Sequence, residues 1–210
     1  MTTSSRVTFF HAPQTRSGAT RALFEELGVE YDMHVLNLHG GDTRKPDYLA
    51  VNPMGKVPAI RHGDALVTEQ PAVMMYLADL YPEAKLAPPL GDPLRGPYLR
   101  WMVFYGSCFE PAVVDKSLKR EPAPPSTSPY GDFDTMLGTL TDQLDRGPYL
   151  LGEAFSAADV LYGTALNWMV QFKLVPELPV IRAYIERVTS RPAMGRAAQA
   201  DATLAAKQSE

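Results

Sequence analysis

The alternation of apolar and polar positions changes character once along this chain, near residue 94. Before it, short β-branched and aromatic runs alternate with longer amphipathic segments; after it, apolar residues recur at helical spacing and no strand pattern appears. Val7-Thr8-Phe9-Phe10 predicts a first strand, and His11 to Gly18 a polar loop. Ala22, Leu23 and Leu27 give helical spacing that stops at Gly28, a residue suited to the C′ position. Tyr31 to Leu36 predicts a second strand, parallel to the first through the helical crossover. Pro46 to Ala50 is long enough for one helical turn. Val57 to Ile60 and Ala65 to Val67 flank the turn Arg61-His62-Gly63-Asp64 and predict a hairpin, and a helix runs from Pro71 to Leu80. The predicted order is βαβαββα.

Residues 84–93 are rich in Pro and Gly and lack periodicity, which places a linker there between a first domain at 1–83 and a second at 94–210. In the second domain Leu94, Tyr98, Trp101, Met102 and Tyr105 share one helical face, which Pro111 is expected to kink or interrupt. Residues 121–131 predict an exposed loop, and helix resumes from Phe133 to Leu144. Ser156-Ala-Ala-Asp159 reads as a capping box, opening a helix whose Leu161, Leu166, Trp168 and Met169 make it apolar nearly all round. Pro179 to Val188 is a further amphipathic helix. Residues 197–210, small and polar, are expected to fray.

The chemistry concentrates between Asn52 and Gln70. A cis Val57–Pro58 bond would turn the N–H and C=O of Val57 outward, where an extended peptide can pair with them. Glu69 and Gln70 stand at a helix N-terminus, which favours a carboxylate, while the Glu69 side chain suits an amine. A small peptide with a free amino-acid end satisfies all three features.

Asn52-Pro-Met-Gly-Lys-Val-Pro58, Leu66-Val-Thr-Glu-Gln70 and Met75-Tyr-Leu-Ala-Asp79 resemble the glutathione-binding half of a cytosolic glutathione transferase. The resemblance extends over nearly the whole chain. It implies a thioredoxin-like first domain that binds glutathione, an all-α second domain that supplies the pocket for a second substrate, and a homodimer. It also implies that Val57, before Pro58, pairs with the cysteinyl part of glutathione, that Glu69 and Gln70 hold its γ-glutamyl end, and that Lys56 meets a carboxylate. The sequence departs from the family at Gln70, where Ser is usual; an amide still donates to a carboxylate.

A free thiol titrates at about 8.5 to 9, so only about one molecule in a hundred is the nucleophilic thiolate at neutral pH. Lowering that pKa by about two units takes about 2.7 kcal/mol of preference for the anion. A hydrogen-bond donor and a helix N-terminus aimed at the sulfur can supply it. Phe9 and Phe10 stand where one branch of the family carries a catalytic Tyr, and the following loop has no cysteine of the kind several bacterial classes use. Pro13-Gln-Thr-Arg-Ser17 resembles the loop of bacterial, serine-type or related classes, which makes Ser17 the expected donor, Thr15 the second candidate and Arg16 a source of positive potential. The other reading of Ser17 is a helix cap. Tyr105, Cys108, Phe109 and Trp168 are candidates for the second-substrate pocket, and the aromatics among them serve equally well as core.

Composition narrows the remaining choices. With 45% apolar and 21% charged residues in 210, the chain reads as an ordinary globular protein, and a net charge of −4 argues against nucleic acid as a partner. A single cysteine precludes an intrachain disulfide, and neither an apolar leader nor a membrane-length run is evident, so a cytoplasmic location is expected. His11, His34, His39 and His62 lack ligand spacing, and no metal is expected. The expected function is a detoxifying glutathione transferase, with glutathione as co-substrate and a small apolar electrophile as its target. The alternatives are a non-catalytic glutathione-binding or scaffold protein on the same fold, and a glutathione-dependent isomerase or reductase.

Overall fold

The computed structural model describes residues 6–121, 123–124 and 126–208. The strands form one sheet because the middle two carry the residues that water excludes most strongly: Phe9 and Ile60 are fully buried. Strand β1 (Thr8–His11) lies between β2 (Asp32–Val35), parallel to it, and β3 (Ala59–His62), antiparallel with Phe9 opposite Ile60; β4 (Ala65–Val67) closes the hairpin on β3. Helix α1 (Ser17–Leu27) makes the crossover and ends at Gly28, whose φ of 66° lets its N–H return to Phe24 O at 3.0 Å. A single turn, α2 (Pro46–Leu49), and α3 (Gln70–Leu80) complete the predicted βαβαββα order of a thioredoxin-like domain. Helix α3 begins one residue before the sequence places it. The Val57–Pro58 bond is cis.

The chain divides into two compact units, and the division differs from the one expected. Residues Lys85–Ser190 form a helical unit, whereas those from Arg191 onward group with the sheet. The stretch from 197, expected to fray, continues helix α9 (Pro192–Gln208), which packs on α1; residues 209 and 210 lie outside the described residues. Small side chains misled the pattern reading, because Ala193, Met194 and Ala197 bury little area each yet allow close approach. Polar contacts fix the register. Arg191 makes a fork on Glu26, both bonds 2.7 Å, with the Glu26 side chain only 7% exposed; Arg196 Nε donates to Glu25 at 2.9 Å, and Gln208 Nε2 to Leu36 O at 3.1 Å.

In the helical unit, α4 (Arg95–Phe104) runs through a π turn (Tyr105–Phe109) into α5 (Glu110–Ser117). The interruption expected at Pro111 takes the form of this π turn. Pro111 sits in the first turn of α5, and the turn before it widens so that Glu110 N–H reaches back to Tyr105 O. Helix α6 (Phe133–Leu144), α7 (Ala157–Gln171) and α8 (Pro179–Thr189) complete the unit. Gly163 of α7 is required by close packing, since a Cβ there would lie 2.5 Å from Val188 of α8.

The capping box forms at the start of α7, and Asp159 does more in it than cap. Its fully buried carboxylate accepts from Leu150 N (2.8 Å), Tyr184 Oη (2.9 Å), Ser156 N (2.8 Å) and Ser156 Oγ (3.0 Å). Burial pushes its pKa above the ordinary value in spite of these four donors. Asp159→Asn keeps the shape but turns an N–H₂ toward donors. With about 1–3 kcal/mol for each buried group left unsatisfied, the variant is expected to lose about 2–4 kcal/mol in urea unfolding. A loss below about 0.5 kcal/mol would show that the carboxylate bonds are dispensable.

Candidate functional site

Strand β1 ends with His11 buried, and the chain must turn within five residues before α1 begins. The turn is held by hydroxyls. Thr15 Oγ1 donates to Ala12 O at 2.7 Å and lies 2.8 Å from Ser17 Oγ. Ser17 Oγ also meets His11 Nδ1 at 2.8 Å, Ala12 N at 3.2 Å and Ala12 O at 3.0 Å. Ser17 therefore differs from both sequence readings. It is the first residue of α1, with Arg16 at the cap position, and its side chain is wholly enclosed and latched backward onto β1. Enclosed among Ala12, Thr15 and His11, this hydroxyl does not face solvent. Thr15 is half-buried, and Gln14 and Arg16 are exposed, so Thr15 carries the accessible hydroxyl of the turn.

Two further segments meet this loop. Ala12 and Ala59 belong to one apolar cluster with Phe10, Leu36, Tyr48 and Val51, and Val57 packs against it. The loop leading to Val57 is preset: Lys56 O accepts from Tyr48 Oη (2.6 Å) and Asn52 Nδ2 (2.9 Å), and Gly55, at φ 61°, leaves no room for a Cβ beside Thr43 O. Val57 precedes β3 and stands outside the strand pairing, which starts at Ala59. The Lys56 side chain is exposed.

Gln70 makes the third connection. Its Nε2 donates to Arg16 O at 2.6 Å, joining the N-terminus of α3 to the start of α1, while its Oε1 is buried without a hydrogen-bond partner. The expected donor is thus already engaged, and the unspent atom is an acceptor. Glu69, next to it, is exposed and held at φ 65°, a conformation a non-glycine residue adopts at a cost of about 1–3 kcal/mol and one found preferentially at functional sites.

The expected second-substrate residues do not converge. Tyr105 and Phe109 are core, each with its ring centroid 5.3 Å from that of Tyr162. Cys108 Sγ lies 3.6 Å from Pro129 O, and Trp168, 47% exposed, packs tilted against Phe172 with centroids 4.5 Å apart. Helical spacing groups Tyr105 and Phe109 correctly but does not say that their face turns inward. An open groove of about 480 Å³ lies elsewhere in the helical unit, lined by Leu94, Pro97, Arg100, Trp101, Leu150 and Leu151 among others. Among the described residues no cluster of three or more His, Cys, Asp or Glu could hold a metal ion, and no helix is long and apolar enough to cross a membrane.

Known proteins share this fold. The model of the glutathione S-transferase N-terminal domain matches residues 5–79, and that of the C-terminal domain matches residues 130–187. A glutathione transferase from Methylococcus capsulatus superposes with a TM-score of 0.77 at 30% identity, covering 94% of this chain and 99% of that one. This chain belongs to the glutathione S-transferase family. A sphingomonad glutathione S-transferase solved in complex with glutathione gives a TM-score of 0.76 at 30% identity over 93% of this chain and 98% of its own. Glutathione S-transferase GstA of Escherichia coli O157:H7 is 28% identical over 199 residues, 91% of this chain and 97% of that protein.

Two residues joined to this turn escaped the sequence reading. His11 drew notice only for lacking metal-ligand spacing, and Asp201 fell in the expected tail. Asp201 Oδ2 accepts from Gln14 N at 2.9 Å, fixing a residue held at φ 57°, and Oδ1 approaches His11 Nε2 to 2.9 Å. That second approach is close but bent, leaving neither buried atom in an aligned hydrogen bond. One sequence signal was available: Asp201 is the sole acidic residue between Arg191 and Gln208. Desolvation pushes its pKa up, but the bonds from His11 and Gln14 and the charges of His11 and Arg21 outweigh it, so the carboxyl sits below its ordinary value of 3.8. A depressed carboxyl stabilises the fold fully above its unfolded pKa and loses that contribution as pH falls through the native value. The stability difference between the parent and Asp201→Asn, measured by denaturant unfolding across pH, should therefore be widest near neutrality and shrink below pH 3.8. A difference independent of pH would contradict this.

Proposed function

We propose that this chain is a glutathione S-transferase of a bacterial, serine-type or related class, working as a cytoplasmic homodimer. Residues 1–83 bind glutathione, 84–93 connect, and the helical part beyond takes the electrophile. The observation that carries this reading is the Gln70–Arg16 bond, which sets the N-terminus of α3 beside that of α1. Glutathione fits these parts end by end. The Val57 backbone, ahead of Pro58, pairs with the cysteinyl peptide group, and Lys56 meets the glycyl carboxylate. The γ-glutamyl ammonium lies between the Glu69 carboxylate and the vacant Oε1 of Gln70, and the α3 N-terminus takes the γ-glutamyl carboxylate. Gln70 thus reads the amine, where a serine would donate to the carboxylate.

The cysteinyl sulfur then lies toward the α1 N-terminus. Thr15, the accessible hydroxyl of the turn, donates to the thiolate; Ser17 holds Thr15, and Arg16 adds positive potential. Attack by the thiolate on a small apolar electrophile needs positioning and anion stabilisation, and no further acid or base at the electrophile.

Calorimetric titration with glutathione tests the binding reading. Glu69→Ala removes one charge-assisted contact, worth about 1.5–3 kcal/mol, and should weaken binding at least about tenfold. Equal binding by both proteins would remove Glu69 from the site, and no binding by the parent would overturn the reading. Turnover of an aromatic halide separates a transferase from a binding module. Light scattering should give twice the chain mass.

A further inference from the structure

We propose that Thr15, Ser17, His11 and Asp201 form a proton relay that carries the thiol proton of bound glutathione inward to His11. The inference rests on glutathione occupying the site as described above. Four side chains connect an accessible hydroxyl to a carboxylate through three contacts: Thr15 Oγ1 to Ser17 Oγ at 2.8 Å, Ser17 Oγ to His11 Nδ1 at 2.8 Å, and His11 Nε2 to Asp201 Oδ1 at 2.9 Å. Ser17 and His11 are fully buried, and water does not interrupt the chain between them.

The hydroxyls have two consistent orientations. With His11 neutral and Nε2–H facing Asp201, Nδ1 accepts from Ser17, which accepts from Thr15 and from Ala12 N–H. With His11 protonated on both nitrogens, Nδ1–H donates to Ser17, Ser17 donates to Thr15, and the Thr15 proton turns outward to the sulfur. Ala12 O, 2.7 Å from Thr15 and 3.0 Å from Ser17, offers each hydroxyl a second acceptor while it turns.

One cycle of transfer converts the first state into the second. The S–H bond breaks as Thr15 Oγ1 takes the proton, the original Thr15 proton passes to Ser17, and that of Ser17 passes to Nδ1. The products are a thiolate and an imidazolium; no electrons are exchanged. The charged groups around His11 decide whether this is tolerable. Asp201, from α9, is in contact and favours the imidazolium, whereas Arg21, on α1, carries a buried guanidinium that acts on Asp201 and opposes it. The carboxylate lies 2.9 Å from Nε2, in direct contact with the ring. Its buried Oδ1 and the facing Nε2 lack aligned bonds, which is rare for interior polar atoms and leaves room for the pair to tighten when the ring is charged. His11 and Asp201 act through Ser17 and Thr15 and are positioning residues for the thiol step.

The test compares two signals on glutathione binding at neutral pH: thiolate absorbance, and protons released to an indicator dye. The parent should form more thiolate than it releases protons, because His11 retains the difference. In Thr15→Val and in Asp201→Asn the two signals should become equal, and the midpoint of thiolate titration should rise by about one pH unit, a tenfold loss of thiolate at neutrality. Thr15→Ser should restore the parent behaviour. Thr15→Val disturbs no buried charge, so its result stands even if Asp201→Asn loosens α9. A lowered midpoint in the parent, unmoved by Thr15→Val, or proton release equal to thiolate in the parent, would overturn the relay and leave the transferase reading intact. Glutathione bound without a lowered midpoint would overturn thiol activation itself.

Discussion

The enclosure of one hydroxyl, that of Ser17, governs the geometry on which the sheet-bearing unit depends. A serine at the first position of a helix ordinarily faces outward. Here its oxygen is withdrawn between the end of β1 and the start of α1, and withdrawal obliges it to satisfy itself internally. It does so on Ala12, Thr15 and His11. That choice fixes the turn, brings Thr15 to the accessible side, and commits His11 to the interior. His11 in turn lies against Asp201 of α9, so the turn after β1 and the last helix are held by one polar chain.

The two interior carboxylates show how surroundings set the behaviour of one residue type. Asp159 meets only neutral donors, and desolvation wins: its pKa rises. Asp201 is less deeply enclosed and has cationic character near it from His11 and Arg21, and its pKa falls. Asp159 is consequently a structural pin for the α7 start, with every lone pair in use. Asp201 keeps one oxygen, Oδ1, in an unaligned contact, and a group with unspent capacity next to an ionisable ring is suited to respond to a proton.

Gln70 illustrates a related economy of donors. Its amide has two ends, and the short bond to Arg16 O settles their placement: the N–H₂ end is drawn to the carbonyl, and the oxygen is left buried without a partner. The same bond joins the N-termini of α1 and α3, the positive ends of both helices. Gln70 thus supplies a brace within the protein.

The sequence by itself determined the order of elements up to residue 80, because strand and helix periodicities are local and the glycine and proline positions punctuate them: Gly28 and Gly63 fall where the chain must turn. It also determined the capping box at Ser156 and the family, since Asn52 to Gln70 packs several uncommon requirements into one short stretch. Tertiary structure alone decided the direction of side chains and the partners of distant segments. Tyr105 and Phe109 have the same spacing whether they line a pocket or fill a core, and only the position of Tyr162 resolves it. Helix α9 offers small residues with little apolar area, so its docking depends on Glu25, Glu26 and His11, which lie at least 165 residues away along the chain. The run of contacts from Thr15 to Asp201 is of that kind: each residue is commonplace in sequence, and the run exists only because folding sets their atoms within hydrogen-bond reach.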